Sequence, residues 1–281
     1  MNKSIQKRSL CRLAVISLVA SMTFVASGKA STPLLAEQAR DCAAYLGTLP
    51  VAKGQVLSDS VNILSWNIQK ASNDGWMADL MELGSDTHLA FIQEAALQAQ
   101  LGEFDPRGPL FQSFSQGYTT ASVNSGVMTL SRHAPTMQCN FNSTEPWLGT
   151  PKAAAVTEHP LQGRDDRLLA INLHAVNFTF GVEDLQAQLR PLVELLLNHR
   201  GPAILAGDFN TWSDARQQLV DQVLSQHGLE PLAFDPDLRT TVFGRPLDHI
   251  YVRGLAPEHT EVIPVTSSDH NALRARLKLL M

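Results

Sequence analysis

Two short strings near the C-terminus carry groups that can do chemistry. They are Gly207-Asp208-Phe209-Asn210, directly after the apolar run Pro202 to Ala206, and Ser268-Asp269-His270, roughly sixty residues later. An apolar run that ends in Asp, an aromatic and Asn puts a carboxylate and an amide at the mouth of a buried strand, where loops carry function. The second string adds another carboxylate and an imidazole that titrates near neutral pH. Each alone is weak, because Asp-x-Asn is also ordinary turn chemistry. Their company strengthens them. Asn67 follows Ile63-Leu64-Ser65-Trp66, Glu94 follows Leu89-Ala90-Phe91-Ile92-Gln93, and His174 follows Leu169-Ala170-Ile171-Asn172-Leu173. With Asp248 and His270 they form a series of groups able to contact a metal or a phosphate, each at the margin of an apolar run.

The elements that would position them alternate short apolar runs with helical patterns, as in a layered α/β protein. Strands are predicted over Val61 to Trp66, Leu89 to Gln93, Gly126 to Ser131, Ala153 to Thr157, Arg167 to Leu173, Ala203 to Ala206, Leu247 to Arg253 and Ala272 to Leu279. Helices fit Trp76 to Leu83, Val182 to His199 and Ser213 to His227. The second of these carries Leu185, Leu189, Leu192, Val193 and Leu196 at helical period, with Pro191 as a candidate bend. Within the strand after Leu247, His249 points away from Asp248 by alternation and reads as a core or surface histidine.

The whole chain sets bounds. Its 281 residues can bury one sizeable core, and a single catalytic domain over residues 60–281 is the simplest division. Residues 31–59 are a lead-in with a short helical pattern around Leu35 to Tyr45. Residues 1–30 have the layout of a secretory signal peptide: Lys3, Lys7, Arg8 and Arg12 precede the apolar stretch Leu13 to Val25, and small residues follow up to Ala30. That stretch is shorter than the roughly 20 residues of a spanning helix, so export by cleavage is expected ahead of an uncleaved membrane anchor. The mature protein would then be periplasmic or secreted. It would keep 17 basic against 27 acidic residues, a net charge of about −10. Such a surface argues against tight, sequence-independent binding to a polyanion. Arg132, Lys152, Arg164 and Arg167 are scattered, and no exposed aromatic hairpin is evident. Cys42 and Cys139 would remain as an even pair in an oxidising compartment, open to a disulfide or to two buried thiols.

Taken in order, Ser65-Trp66-Asn67, Ile92-Gln93-Glu94, Asn172-Leu173-His174, Gly207-Asp208-Phe209-Asn210, Leu247-Asp248-His249-Ile250 and Ser268-Asp269-His270 resemble the motif set of the endonuclease/exonuclease/phosphatase superfamily. The resemblance covers about residues 60–281. Longer strings such as Ser125-Gly126-Val127-Met128-Thr129-Leu130-Ser131 and Phe243-Gly244-Arg245-Pro246-Leu247-Asp248 are similar to its bacterial YafD-like branch. The resemblance implies a DNase-I-like four-layer αββα sandwich, two mixed β-sheets face to face with helices outside. It implies a metal-dependent phosphoester hydrolase, a nuclease-like phosphodiesterase first and a phosphatase or phospholipid or sphingomyelin-type phosphodiesterase as the alternative. Phosphoester hydrolysis needs charge neutralisation, an activated water and help for the leaving oxygen.

By the same resemblance Glu94, Asn67 and Asp269 are the ligands of a divalent cation, Mg²⁺ or Mn²⁺, which prefers oxygen donors. His270 activates water or contacts the phosphate, with Asp248 orienting its ring. Asp208 handles a proton near the scissile bond, and His174 and Asn210 hydrogen-bond the phosphate. Asn177 and Gln69 line the substrate side, Trp66 and Phe209 pack to fix their neighbours, and Arg245 is either a phosphate clamp or one half of a structural ion pair. The expected partner is a phosphoester, whether nucleic acid, phospholipid or small phosphate ester, with no integral membrane partner and a monomeric chain. A non-catalytic exported binding protein is the reading from a different class; the complete set of acid, base and metal candidates weighs against it.

Overall fold

The structure, a computed structural model, describes residues 32–103, 105, 107–121 and 123–280. The leader expected over residues 1–30 lies outside them. In chain order the main elements are α1 (Thr32–Ala43), β1 (Ser60–Asn67), α2 (Trp76–Leu83), β2 (Leu89–Ala96), β3 (Phe111–Thr119), β4 (Asn124–Ser131) and β5 (Met137–Thr144). There follow β6 (Pro151–Pro160), β7 (Arg167–His174), α3 (Glu183–Asn198), β8 (Ala203–Asp208) and α4 (Asp214–Ser225). The short pairs β9 (Glu230–Pro231), β10 (Thr241–Val242) and β11 (Arg245–Pro246) lead to β12 (Asp248–Arg253), β13 (Leu255–Ile263) and β14 (Ala272–Leu279).

Two six-stranded mixed sheets result, one ordered β13-β14-β1-β2-β4-β3 and the other β5-β6-β7-β8-β12-β9. Their central strands are almost continuously apolar because both faces are buried. Alternation sorts the side chains into layers. Ile63, Phe91, Leu168, Ala170, Ile204, Ala206, Ile250 and Leu273 meet between the sheets. Leu64, Trp66, Ile92 and Met128 face outward under α2, which contributes Leu80 and Leu83. Leu169, Ile171, Leu173 and Leu205 face outward under the remaining helices, through Leu185, Leu189 and Leu192 of α3 and Val220 and Leu224 of α4. The expected four-layer αββα sandwich is therefore present.

The helix expected from residue 182 is α3, which runs through Pro191, and Ser213 caps α4 by accepting a hydrogen bond from the Arg216 amide. The lead-in is part of the body. Ala39 and Cys42 of α1 are buried in the outer core of the second sheet, and Cys42 forms a disulfide with Cys139 of β5. Among the described residues, no helix is long and apolar enough to cross a membrane.

Candidate active site

The alternation that builds the core also aims the polar series. In β1 the inward parity of Val61 and Ile63 continues through Ser65 to Asn67; in β2 that of Leu89 and Phe91 reaches Gln93. In β7 Leu168 and Ala170 lead to Asn172 and His174, in β8 Ile204 and Ala206 lead to Asp208, and in β12 Val252 and Ile250 lead back to Asp248. Registers align the ends. Asn67 lies opposite Gln93 in the parallel β1–β2 pair, His174 opposite Asp208 in the parallel β7–β8 pair, and Asp248 opposite Asp208 across β8–β12. All five thus emerge at one end of the gap between the sheets. Gln93 and Asn172 seal it below the site, with Gln93 Nε2 donating to Asn172 Oδ1 at 2.8 Å.

Two local departures complete the arrangement. Glu94 has φ 48° where the β2–β4 register slips between Ile92 and Ala95, a bulge that turns its carboxylate out of the strand's alternation. Gly207 has φ 146°, and a Cβ there would lie 1.9 Å from the Leu173 carbonyl oxygen. Only glycine lets β8 run this close to β7, which fixes Asp208 beside His174. The Ser268-Asp269-His270 loop is fastened to β1. Trp66 Nε1 donates to the His270 carbonyl at 2.9 Å, and Ser268 Oγ donates to the Asn67 carbonyl at 2.6 Å.

Asp208 Oδ2 is the centre of the cluster. Asn67 Nδ2 donates to it at 3.2 Å, His174 Nε2 lies at 3.5 Å and His270 Nε2 at 3.9 Å. Its other oxygen accepts the Asn210 amide at 2.9 Å. Burial raises the Asp208 carboxyl to about 6, with Asp248 adding to the shift and His270 opposing it. Burial works against charge on His270 too, but Asp248, whose Oδ2 lies 2.7 Å from Nδ1, outweighs it together with Asp208 and Asp269, raising the ring to about 10. His174 is pushed the other way, well below the usual range, by burial and by the nearby Lys152, His270 and Lys70. One buried edge thus holds an imidazolium, a neutral imidazole and a carboxyl raised above its ordinary range.

For a divalent cation, the Glu94 carboxylate and the Asn67 carbonyl are hard oxygen donors at adjacent strand ends. The Lys70 ammonium rests on Glu94 as an ion pair, so this carboxylate already holds a positive charge. Asp269 is exposed, and its Oδ1 lies 3.5 Å from the Ser268 hydroxyl that grips Asn67. Asp208, Asp248 and His270 also bring one ligand atom each within 4.8 Å of one another. There, however, His270 Nδ1 is engaged with Asp248, which suits a proton pair better than a metal.

Other sequence candidates lie nearby with work of their own. Asn210, at φ 50°, donates its side-chain amide to the Ala175 carbonyl, and Asn177 Oδ1 accepts from Trp212 Nε1 at 3.0 Å. Gln69 accepts from Asn73 through its side-chain oxygen, and Arg245 pairs with Asp214 at the surface. His249 is buried on the opposite face against Thr211 and Arg239, its ring lowered to about 3 by burial and by Arg239. Phe209 is fully buried.

Sequence reasoning missed two cations. Lys152, counted as scattered, lies with Nζ 2.8 Å from His174 Nε2, and Lys70 sits on Glu94. The only signal was Pro151-Lys152 at the head of a buried run, and it acquires meaning only once β6 is known to pair with β7. A hairpin with an exposed aromatic tip was not evident in sequence either. β10 and β11 form a hairpin whose Phe243 is 86% exposed, and its two-residue strands are too short to leave a pattern in sequence. Phe243 makes an edge contact with Trp212, and the exposed Trp147 and Phe180 make another.

The sequence model of the Endonuclease/Exonuclease/phosphatase family matches residues 64–270. A UPF0294 protein of Vibrio cholerae is 39% identical over 232 residues, 80% of each chain, and one of Yersinia pestis is 39% identical over 228 residues, 80% of this chain and 86% of that one. Among solved structures, an endonuclease/exonuclease/phosphatase family protein from Leptotrichia buccalis superposes with TM-score 0.61 at 15% identity, covering 78% of this chain and all of that one (100%). A mannosyl-6-phosphatase from Bacteroides thetaiotaomicron gives 0.58 at 18%, covering 77% and 99%. At such identities the structural likeness is one of fold.

Proposed function

Since the chain belongs to the endonuclease/exonuclease/phosphatase family, we propose that it hydrolyses phosphoesters with the help of a divalent cation, Mg²⁺ or Mn²⁺. The observation that carries this reading is the convergence of Asn67, His174 and His270 on Asp208 Oδ2. A carboxyl near 6, buried, hydrogen-bonded by the Asn67 side chain and the Asn210 amide and flanked by two histidines, suits a base that takes a proton from an attacking water at neutral pH. His270, kept protonated by Asp248, offers a fixed positive charge and a donor Nε2–H to the oxygens of the phosphoryl group as charge develops. His174 stays neutral and serves as a hydrogen-bonding group. Asn210 acts mainly through its backbone, whose N–H orients Asp208. Glu94 and Asn67 are the residues suited to hold the cation, with Asp269 beside them. When bound, that cation neutralises phosphoryl charge and assists the leaving oxygen.

The sequence expectation of a nuclease-like phosphodiesterase and its phosphatase alternative use the same groups, and the site serves either ester. The test is turnover of a bis-aryl phosphate by the protein with Mg²⁺ or Mn²⁺, and its loss in Asp208→Asn. An acid-base group of this kind is worth about 10²–10⁴ in rate. Hydrolysis that persists in Asp208→Asn within a few-fold of the parent, or that ignores chelation of the metal, overturns the assignment.

A further inference from the structure

Beside the proton-handling cluster lies a cavity of about 200 Å³. Its floor is backbone, from Gly117 and Gly126 of the β3–β4 pair. A Cβ on Gly126 would fall 2.0 Å from the Ser115 carbonyl oxygen, so that part of the floor stays bare by necessity. His174 and Glu94 stand at its inner end, and Lys70 and Lys152 supply its charge. Lys152 is only 13% exposed, yet its compensation is slight: the neutral His174 ring and one Glu145 oxygen at 3.8 Å. That glutamate oxygen also accepts the Asn177 amide. A mostly buried ammonium whose carboxylate partner stands off at 3.8 Å has room to take a closer anion.

Lys70 is delivered by an unusual backbone. Gln69, Lys70 and Ala71 have φ of 47°, 61° and 54°, three successive left-handed residues without a glycine. Left-handed backbone is strained for residues with a Cβ, and strain of this kind gathers at functional positions. Lys70 is paired with Glu94 at the cavity's inner end, whereas the arginines around the site pair away from it, Arg245 with Asp214 and Arg239 with Asp237.

Resting on the hydrolase reading above, we propose that this cavity is the subsite for a second anionic group on a small phosphate ester, held by Lys152 and Lys70 while the scissile phosphoryl group meets Asp208 and His270. The substrate class is then a compact, doubly anionic phosphoester, such as a sugar bisphosphate. The cavity is smaller than the about 300–1,000 Å³ of pockets for drug-sized ligands. A nucleic acid would need a line of backbone cations, which the chain's negative balance and the paired arginines do not provide.

The experiment measures both binding and turnover on the full chain. Binding of a hexose bisphosphate and of pyrophosphate is followed by calorimetry in the parent, Lys152→Met, Lys152→Arg and Thr150→Glu. The last of these adds a like charge at a half-buried cavity wall and guards against a misfolded lysine variant. Turnover is compared among the bisphosphate, a bis-aryl phosphate, single-stranded DNA and phosphatidylcholine vesicles. The expected result is bisphosphate binding weakened 10-fold or more by Lys152→Met and Thr150→Glu and less by Lys152→Arg, with the loss of turnover lying mainly in KM and specific to the doubly anionic ester. Bisphosphate binding that is absent, or unchanged in both Lys152→Met and Thr150→Glu, overturns the proposal, as does kcat/KM highest on DNA or vesicles. If the bisphosphate binds in a Lys152-dependent way but nothing is hydrolysed, the subsite stands and the hydrolase reading falls.

Discussion

His270 and Asp208 divide acid and base work through opposite environments. Both are buried, but Asp248 supplies the histidine with a carboxylate at 2.7 Å, whereas the aspartate accepts from two neutral donors, the Asn67 side chain at 3.2 Å and the Asn210 amide at 2.9 Å. The base form of a group near 6 and the acid form of a group near 10 coexist across a broad interval, so hydrolysis in the parent should stay flat between about pH 7 and 9. Replacing Asp248 by Asn keeps a hydrogen-bond acceptor and removes the charge that raised His270. The imidazolium then gives up its proton at lower pH, so the variant's kcat/KM should decline within that interval. A pH profile on a bis-aryl phosphate measures it, and a variant as flat as the parent would mean that His270 does not act as a cation. Asp208 was legible in sequence because it ends an apolar run whose alternation fixes the side it faces and Asp248 because it begins one, whereas His270 was legible only through its Ser-Asp-His string. Lys152 was not, because a lysine at the head of a strand says nothing until its neighbouring strand is known. Asn210 and Asn177 were legible as positions but not as roles, since backbone and indole partners decide what an amide is free to do.

The elements divide along the same physical line. All eight strands read from sequence belong to the interior of the two sheets or carry a buried apolar run. Those of the two sheets that escaped are edges, β3 and β13 of the first and β5 and the two-residue β9 of the second, and the other two form the short β10–β11 hairpin. An edge strand is half solvated and must resist pairing with other chains, so β5 (Met-Gln-Cys-Asn-Phe-Asn-Ser-Thr) alternates buried and polar residues and β13 carries Pro257, Glu258, His259 and Glu261. The disulfide ties one such edge to α1 across 97 residues, and a link closing a loop of that size stabilises by about 4–5 kcal/mol in the chain-entropy model. The most exacting element contact is the β7–β8 pair at Gly207. Gly207→Ala has to part those strands or shift the Leu173 carbonyl, and His174 and Asp208 lie on the next rung. A loss of about 2–4 kcal/mol in urea unfolding is expected, the upper part of the range for a backbone clash. Activity should fall further than the unfolded fraction explains. An alanine variant of parental stability would show that the strands have room to spare.

At the scale of the whole molecule, charge and burial set where the protein can work. Removing residues 1–30 would take five basic residues and no acidic ones, and the disulfide suits an oxidising compartment, so we infer export with cleavage near Ala30, to be checked by the N-terminal mass of the secreted or periplasmic form. Such a compartment follows the external pH, which makes acid stability relevant. His159 and His249 lie deep in the fold and are each lowered to about 3, His159 chiefly by burial and His249 by burial and Arg239. Unfolded, both would take up protons near 6.5, so the unfolded state binds more protons and stability falls as pH drops below 6.5 toward 3. At pH 5 each group costs roughly 2 kcal/mol relative to pH 7.5. Asp208, raised to about 6, opposes them by roughly 1 kcal/mol, because the folded state protonates it first. His159 is the cleaner probe, being remote from the cluster, with Nε2 3.0 Å from Thr157 Oγ1 and Nδ1 without a partner among the described residues. His159→Gln retains a hydrogen-bonding side chain that does not titrate. The drop in urea-unfolding free energy between pH 7.5 and 5 should therefore shrink by about 2 kcal/mol in the variant. A drop of parental size would mean that His159 gains its proton without leaving the fold, and the acid sensitivity would then belong to other groups.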